Sequence, residues 1–342
     1  MNNKVNKYMQ MLKDVCANNE TELGRNSRVL FVDGLNTFIR AYSVSPTTNS
    51  EGIPVGGISG FLLSVGYAIK MLRPTRLVII FDGKGGSSAR RKLYSEYKNN
   101  RKPLSRPNRI NPLLDLDQEI DLRTSMLIRL QDYLKCIPAT VIQLDNVEAD
   151  DVIGYLSTRN AEKSYIMSSD KDFLQLVSDK ISVWSPTKKV LFTPNDVLSH
   201  YNIRAENFII YRCIVGDTGD NIKGVPGIKE KSIAKYLPFM KEERCDTIDT
   251  LLQHCSQLDN KITAKLIAAE DQLRTNYKLM QLAEVTISDM AKERSLALFR
   301  SKHIPGNKHA FTKLLIEDKM ESAIKNFDLW FRDVFGKLEK YE

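Results

Sequence analysis

Short apolar runs bounded by polar residues punctuate the first half of the chain. Residues 28–32 (RVLFV), 77–81 (LVIIF) and 139–144 (ATVIQL) each read as a buried strand, followed by 164–168 (SYIMS) and 181–184. Continuous apolar runs of this kind mark strands covered on both faces. Between them, helices are predicted over 58–72, near 117–136, from about 148 and from about 171. Strands alternating with helices predict βαβ units: an α/β fold with a mostly parallel sheet flanked by helices. From about 193 the pattern is mostly helical. Near the end, Phe327, Trp330, Phe331, Val334, Phe335 and Leu338 share one helical face. Core packing is the expected role of that face, and docking of a partner is the alternative. At the start, Val5, Tyr8, Met9, Met11 and Leu12 predict a short amphipathic helix. The expected organisation is an extension over 1–26, an α/β domain over 27–190 and a helical part over 191–342.

Composition narrows the function classes. The chain has 342 residues and is 42% hydrophobic, enough for a sizeable core. Fifty Lys and Arg against 42 Asp and Glu give a net charge of +8 and a pI near 9.1. That balance favours polyanionic partners, although many proteins that bind none share it. Five cysteines at 16, 136, 213, 245 and 255 form no CxxC, so reduced thiols in a cytoplasmic setting are expected. The four histidines form no HxH or HExxH pattern, so zinc is not expected. No apolar run approaches the ~20 residues of a membrane span, and residues 1–20 contain no secretory apolar core. GxxxxGK[ST] is absent, which removes the sequence basis for ATP hydrolysis.

Charge is distributed unevenly. From Lys84 to Arg109 there are nine basic residues and one acid, a net charge equal to that of the whole chain. Lys84, Arg90, Arg91, Lys92, Lys98 and Arg101 lie in it, with Tyr94 and Tyr97 among them. A solvated loop would account for this segment. So would an excursion that grips phosphates, with tyrosines available to stack on unpaired bases.

The carboxylates carry more information. Asp33 follows the first strand in FVDG and Asp82 follows the second in IIFDG. Asp170 and Asp172 follow SYIMS in SSDKDF. Parallel sheets gather ligand sites beyond the carboxyl ends of their strands. Glu148, Asp150 and Asp151 in VEADDVIGY open a helix after the third strand, and Asp217 and Asp220 in VGDTGDNI open the helical part. Singly, each acid has a structural explanation as a helix-dipole partner or an Asx turn. Nine acids at one sheet edge repel one another unless cations hold them ionised. An all-oxygen set without His or Cys points to Mg²⁺ or Mn²⁺. Calcium in an EF-hand is excluded, because Gln175 and Ile181 stand where Gly and Glu are needed. Two divalent ions can drive phosphodiester hydrolysis with no nucleophilic side chain.

Residues 216–236 read GDTGDNIKGVPGIKEKSIAKY, in which Gly224 to Gly227 form a tight turn between two short helices. Lys229, Lys231 and Ser232 then stand at a helix start, where phosphate is bound. An ordinary helical corner is the alternative, but the acids before the turn and the lysines after it favour a duplex-backbone clamp.

VDG at 32–34, FDG at 81–83, EADD at 148–151, SSDKD at 168–172 and GDTGDNIKGVPGI at 216–228 resemble, in order, the motifs of the flap endonuclease / 5′–3′ exonuclease family. The likeness is to the 5′ nucleases of bacteria and phages, the ribonuclease H type of T-even phages among them. The matched stretch is about 60% of the chain. The resemblance implies a PIN-like α/β domain with a basic helical arch over 84–112, and a helix–hairpin–helix type module over 211–237. It implies one metal held chiefly by Asp33, Asp82, Glu148 and Asp150, with Asp151 completing the string. A second, weaker metal falls to Asp170, Asp172, Asp217 and Asp220. Lys98 and Arg101 become the arch cations that reach the scissile phosphate, supported by Arg90, with Tyr97 orienting or stacking the terminal base. Arg91, Lys92, Gly224, Gly227, Lys229, Lys231 and Ser232 become DNA contacts, and residues 222–232 a possible K⁺ site.

The implied partners are DNA with a 5′ flap, nick or junction and RNA–DNA hybrid. A single-stranded-DNA-binding protein or clamp, a monomeric state, no membrane, and a bacterial or phage-infected cytoplasm complete the expectation. The implied work is primer and flap removal in replication or repair. A PIN-type single-strand ribonuclease and a non-catalytic DNA-binding scaffold are the alternatives. The sequence departs from the family in having Lys229 where relatives carry glycine, and prolines at 103, 107 and 112 within the arch.

Overall fold

The computed structural model describes residues 24–100, 115–302 and 304–338. A six-stranded sheet is built from β1 (Arg28–Asp33), β2 (Arg76–Asp82), β3 (Thr140–Leu144), β4 (Lys163–Met167), β5 (Ile181–Ser185) and β6 (Val190–Phe192). Its order is β3-β2-β1-β4-β5-β6, with β6 antiparallel and every other pairing parallel. The chain steps outward from β1 through β2 to β3, then crosses back to β4 on the other side of β1. The carboxyl ends of β1 and β4 therefore flank a topological switch point, where parallel sheets open a crevice.

Alternation along the buried strands divides the core. Val29, Phe31, Val78, Ile80, Ile142, Ile166 and Val183 face one layer; Leu30, Val32, Leu77, Ile79, Tyr165 and Met167 face the other. Helices α1 (Gly34–Val44), α2 (Gly56–Leu72), α3 (Ser88–Leu93), α4 (Leu116–Leu134) and α5 (Ala149–Arg159) connect the strands. α1, α2 and α4 cover the second layer; α5 belongs to the first. α6 (Pro194–Tyr201) and α7 (Phe208–Val215) lead into a two-stranded hairpin, β7 (Gly216–Asp217) and β8 (Ile222–Lys223). The remaining helices are α8 (Glu230–Tyr236), α9 (Phe239–Glu242), α10 (Ile248–Ser256), α11 (Lys261–Ala268), α12 (Glu270–Met280), α13 (Asp289–Arg300), α14 (Lys308–Glu317) and α15 (Phe327–Phe335).

The structure differs from the pattern-based reading in four places. The helix expected from about 171 is a single 3₁₀ turn, Asp172–Leu176, because only a short span separates β4 from β5. β6 pairs with β5 through three residues, too few to leave a periodic signal. The glycine turn is preceded by the β7–β8 hairpin instead of joining helix directly to helix. The division at 190/191 also does not follow the packing. α13 stacks Phe299 on Phe31 of β1 at 5.8 Å between ring centroids, and α15 seats Trp330 over Gly66 of α2. Residues on both sides of that division thus cover both faces of the sheet, because α15 offers an apolar face that α2 complements. The expected N-terminal helix, Arg101 and the arch prolines lie outside the described residues.

Phe331, Val334, Phe335 and Leu338 are buried, which assigns the last apolar face to the core. Phe335→Ala is expected to cost about 3–5 kcal/mol, read from urea unfolding. A loss below about 1 kcal/mol would detach α15 from the core.

Candidate functional site

Asp33 ends β1 and caps α1, accepting from the Asn36 N–H at 3.1 Å. Across the switch point the Ser168 hydroxyl donates to its other oxygen at 3.0 Å. Asp82 ends β2 and accepts the Ala149 N–H at 2.8 Å, so it holds the first turn of α5. Gly83 makes that approach possible: a Cβ there would lie 1.7 Å from the Leu144 carbonyl oxygen. Glu148, Asp150 and Asp151 consequently emerge beside the ends of β2 and β3. Their oxygens lie within 4.8 Å of one another, the one such cluster of potential metal ligands among the described residues. An all-carboxylate trio suits a hard divalent cation.

Basic residues from α3 and the turn after it enclose this trio. Glu148 is 3% exposed and accepts from Ser87 Oγ at 2.6 Å, Tyr97 Oη at 3.1 Å, and both Arg90 and Lys98. Burial works to raise its pKa, but Arg90 and Lys98 outweigh it and hold the carboxyl below the usual range. Arg90 also donates to Asp151 at 2.7 Å and to Asp150 at 3.3 Å, while its Nε reaches the Leu279 carbonyl at 2.8 Å. Burial raises Asp150 and Asp151, with Arg90 opposing.

A second group forms where the sheet meets the hairpin. Asp170 Oδ1 accepts the Asp172 N–H at 2.9 Å. Asp172 and Asp217 share Arg212, which pairs with one oxygen of each. Asp220 accepts from Tyr97 Oη at 3.2 Å. The turn after α3 is tied to the same hairpin: the Lys98 N–H donates to the Asp220 carbonyl at 2.9 Å, and Asn221 Nδ2 to the Glu96 carbonyl at 2.8 Å. Asn100 Nδ2 donates to the Thr218 carbonyl at 2.6 Å. Among the described residues only Glu148, Asp150 and Asp151 bring three carboxylate oxygens within 4.8 Å of one another; Asp33 and Asp82 stand at the strand ends, Asp170 and Asp172 meet by a backbone hydrogen bond, and Asp172, Asp217 and Asp220 are reached through Arg212 and Tyr97.

Two expectations need amendment. Tyr97 is 2% exposed, with its hydroxyl committed to Glu148 and Asp220, so its ring offers no platform for a base. Its hydroxyl bridges the two carboxylate groups instead. Arg90 is spent on three carboxylates and so acts here as a counter-ion. Arg91 and Lys92 are exposed on α3. Arg101 lies outside the described residues.

Arg212 had no place in the sequence-based site. Its only signal was one cation inside the apolar run FIIYRCIV, which demands a buried partner.

The hairpin turn is fixed by its neighbours. A Cβ on Gly224 would sit 2.1 Å from the Val215 carbonyl oxygen, and Gly227 has φ 78°. Gln272 and Asn276 donate to the carbonyl groups of Lys223 and Gly224 from behind. Lys229 and Lys231 remain exposed, and Ser232 is half-buried.

Two models of one family match this chain over residues 28–298. The N-terminal resolvase-like domain of the 5′–3′ exonuclease family matches residues 28–202, and its C-terminal SAM fold matches 203–298. The 5′–3′ exonuclease of Aquifex aeolicus is 28% identical over 88% of this chain and 95% of its own length. DNA polymerase I of Caldicellulosiruptor bescii is 28% identical over 88% of this chain, which spans only 34% of that polymerase. The flap endonuclease of bacteriophage T5, solved with DNA and metal ions, shares the fold with a TM-score of 0.59. It is 23% identical over 86% of this chain and 99% of its own.

Burial, then Asp82 and Asp170, push the Asp33 carboxyl up to about 7 against the Asn36 and Ser168 hydrogen bonds. Burial and Asp170 likewise push Asp172 up to about 7, with Arg212 opposing. A carboxyl whose pKa is higher folded than unfolded favours the fold only while protonated. Metal-free stability therefore falls as pH climbs from about 4 to about 7. Asn serves as well as Asp at a helix N-cap, so Asp33→Asn removes the charge and keeps the cap. In EDTA, thermal unfolding should show this variant gaining more over wild type at about pH 8 than at about pH 4.5. Equal gains at both would contradict the burial of an ionised Asp33.

Proposed function

This chain belongs to the 5′–3′ exonuclease family and is a nuclease; on that premise we propose that it is a structure-specific 5′–3′ exonuclease and flap endonuclease. The observation that carries the reading is the meeting of sheet-end carboxylates, hairpin carboxylates and Lys98 at one margin. Its substrates are DNA with a 5′ flap, nick or junction and RNA–DNA hybrid, so that it removes primers and flaps during replication or repair.

We assign the first divalent cation to Asp33, Asp82, Glu148 and Asp150 with Asp151, and the second to Asp170, Asp172, Asp217 and Asp220. Mg²⁺ or Mn²⁺ fits these oxygen sets. Bound there, the cations supply activation of the attacking water and stabilisation of the leaving oxygen, giving a 5′-phosphate and a 3′-hydroxyl. The protein's own part is orientation and charge. Lys98 offers an ammonium to the scissile phosphate, aided by Arg101, while Tyr97 holds Glu148 and Asp220 in register. Arg91 and Lys92 meet the single-stranded 5′ end. Gly224, Gly227, Lys229, Lys231 and Ser232 present the hairpin to duplex phosphates, with K⁺ held by carbonyl groups of 222–232.

We further propose that the enzyme acts as a monomer in the cytoplasm, where a single-stranded-DNA-binding protein or clamp would recruit it. Cys136, Cys213, Cys245 and Cys255 are free and buried, and no described helix is long and apolar enough to cross a membrane.

A 5′-labelled flap duplex should release short 5′ products with Mg²⁺ and none with EDTA. Cutting of a plain single strand alone would favour a ribonuclease instead. Asp82→Asn keeps an acceptor for the Ala149 N–H but loses the charge, so cleavage should vanish while DNA binding persists. Lys98 has φ 58°, a conformation Asn tolerates better than Ala. Lys98→Asn should slow single-turnover cleavage by about 10²–10³-fold with duplex affinity retained; a wild-type rate would remove Lys98 from the reaction. Lys231→Ala should weaken duplex binding and lower its salt slope by about 1.

A further inference from the structure

Arg212 lies on α7 with 8% of its surface exposed, an expensive position for a charge that lacks partners. All three of its nitrogens are engaged. Nε donates to Asp172 Oδ1, Nη2 to Asp217 Oδ2, and Nη1 to the Gly216 carbonyl at 3.3 Å. The two carboxylates come from different parts of the fold. Asp172 opens the 3₁₀ turn at the sheet margin, and Asp217 belongs to the β7–β8 hairpin. The surrounding bonds fix each residue from its own side: the Gly219 N–H donates to Asp217 Oδ1 at 2.6 Å, and Gln175 Nε2 donates to the backbone carbonyl of Asp172 at 2.9 Å. Arg212 is the side chain that holds both carboxylates at once.

We propose that Arg212 is a positioning residue for the second divalent cation, a role that rests on the two-cation reading above. By anchoring one oxygen of Asp172 and one of Asp217, its planar fork fixes their separation, and so makes binding of the weaker cation depend on the docking of hairpin against sheet. A point charge such as lysine cannot span both carboxylates in this way. The four acids Asp170, Asp172, Asp217 and Asp220 outnumber the single guanidinium, so a divalent cation is still attracted. The opposite role would be a resident counter-ion that the metal must displace; the two differ in sign.

The test is Mn²⁺ titration of the full-length protein by calorimetry and by loss of the free-ion EPR signal, on wild type, Arg212→Gln and Arg212→Lys. Melting in EDTA monitors the fold. Wild type should show two classes of site. Arg212→Gln should weaken the second by about 10–100-fold and leave the first unchanged. Arg212→Lys, which retains the buried charge if the Gln variant fails to fold, should weaken the second site by at least several-fold. Two wild-type sites with an unchanged or tighter second site in the variants would overturn the proposal. A single class of site in wild type would overturn the two-cation reading and this inference with it.

Discussion

Mutual repulsion among carboxylates is the constraint on which the functional half of this molecule depends. Three strand ends, a helix start and a hairpin bring nine acids to one margin, and close like charges raise pKa values and oppose folding. The fold meets that cost with three largely buried cations. Arg90 and Lys98 engage Glu148, Asp150 and Asp151, and Arg212 engages Asp172 and Asp217. Among the described residues Asp33 accepts from the Asn36 N–H and the Ser168 hydroxyl and from no such cation. Burial, then the charge of Asp82, push its carboxyl up to about 7, whereas Arg90 and Lys98 overcome burial and hold Glu148 below its usual range. Burial raises both carboxyls, and only beside Glu148 do two cations reverse its effect.

Sheet topology explains why the acids converge at all. Parallel pairing aligns the ends of β1, β2 and β4, and the crossover to β4 opens the crevice beside Asp33. Interior apolar residues on both layers make the register costly to shift, since a one-residue slip would turn every buried side chain to the wrong layer. The core therefore fixes the positions of the acids indirectly. Packing of Phe31, Val32, Ile80 and Phe81 determines where Asp33 and Asp82 end up.

Much of this was legible in the sequence because apolar runs followed by an acid are local signals. RVLFVD and LVIIFD announce both a strand and what stands at its end. The spacing of Phe331, Val334, Phe335 and Leu338 likewise announced a buried helix face. What stayed hidden depends on contacts between distant segments. Tyr97 in a basic run resembles an exposed stacking residue, and only the folded chain reveals that Glu148 and Asp220 claim its hydroxyl. β6, β7 and β8 are too short for periodicity to register. Arg212 sits among apolar neighbours, and the acids that justify it are 40 and 5 residues away.

Cross-anchoring then makes the margin one mechanical unit. The hairpin that contributes Asp217 and Asp220 also accepts the Lys98 N–H through its backbone, and the turn bearing Lys98 accepts from Asn221. Tyr97 touches an acid from the sheet side and one from the hairpin side. α3 contributes Arg90, whose Nε is fixed by the Leu279 carbonyl at the end of α12, and Gln175 beside Asp172 donates to the adjacent Met280 carbonyl. The hairpin and the turn bearing Lys98 thus position each other, and α12 holds Arg90 and Gln175 from outside the site. Displacing the hairpin would disturb the Asp172 environment through Arg212 and the Glu148 environment through Tyr97. The hairpin is thereby tied to both carboxylate groups, through the ion pairs of Arg212 on one side and the Tyr97 hydroxyl on the other.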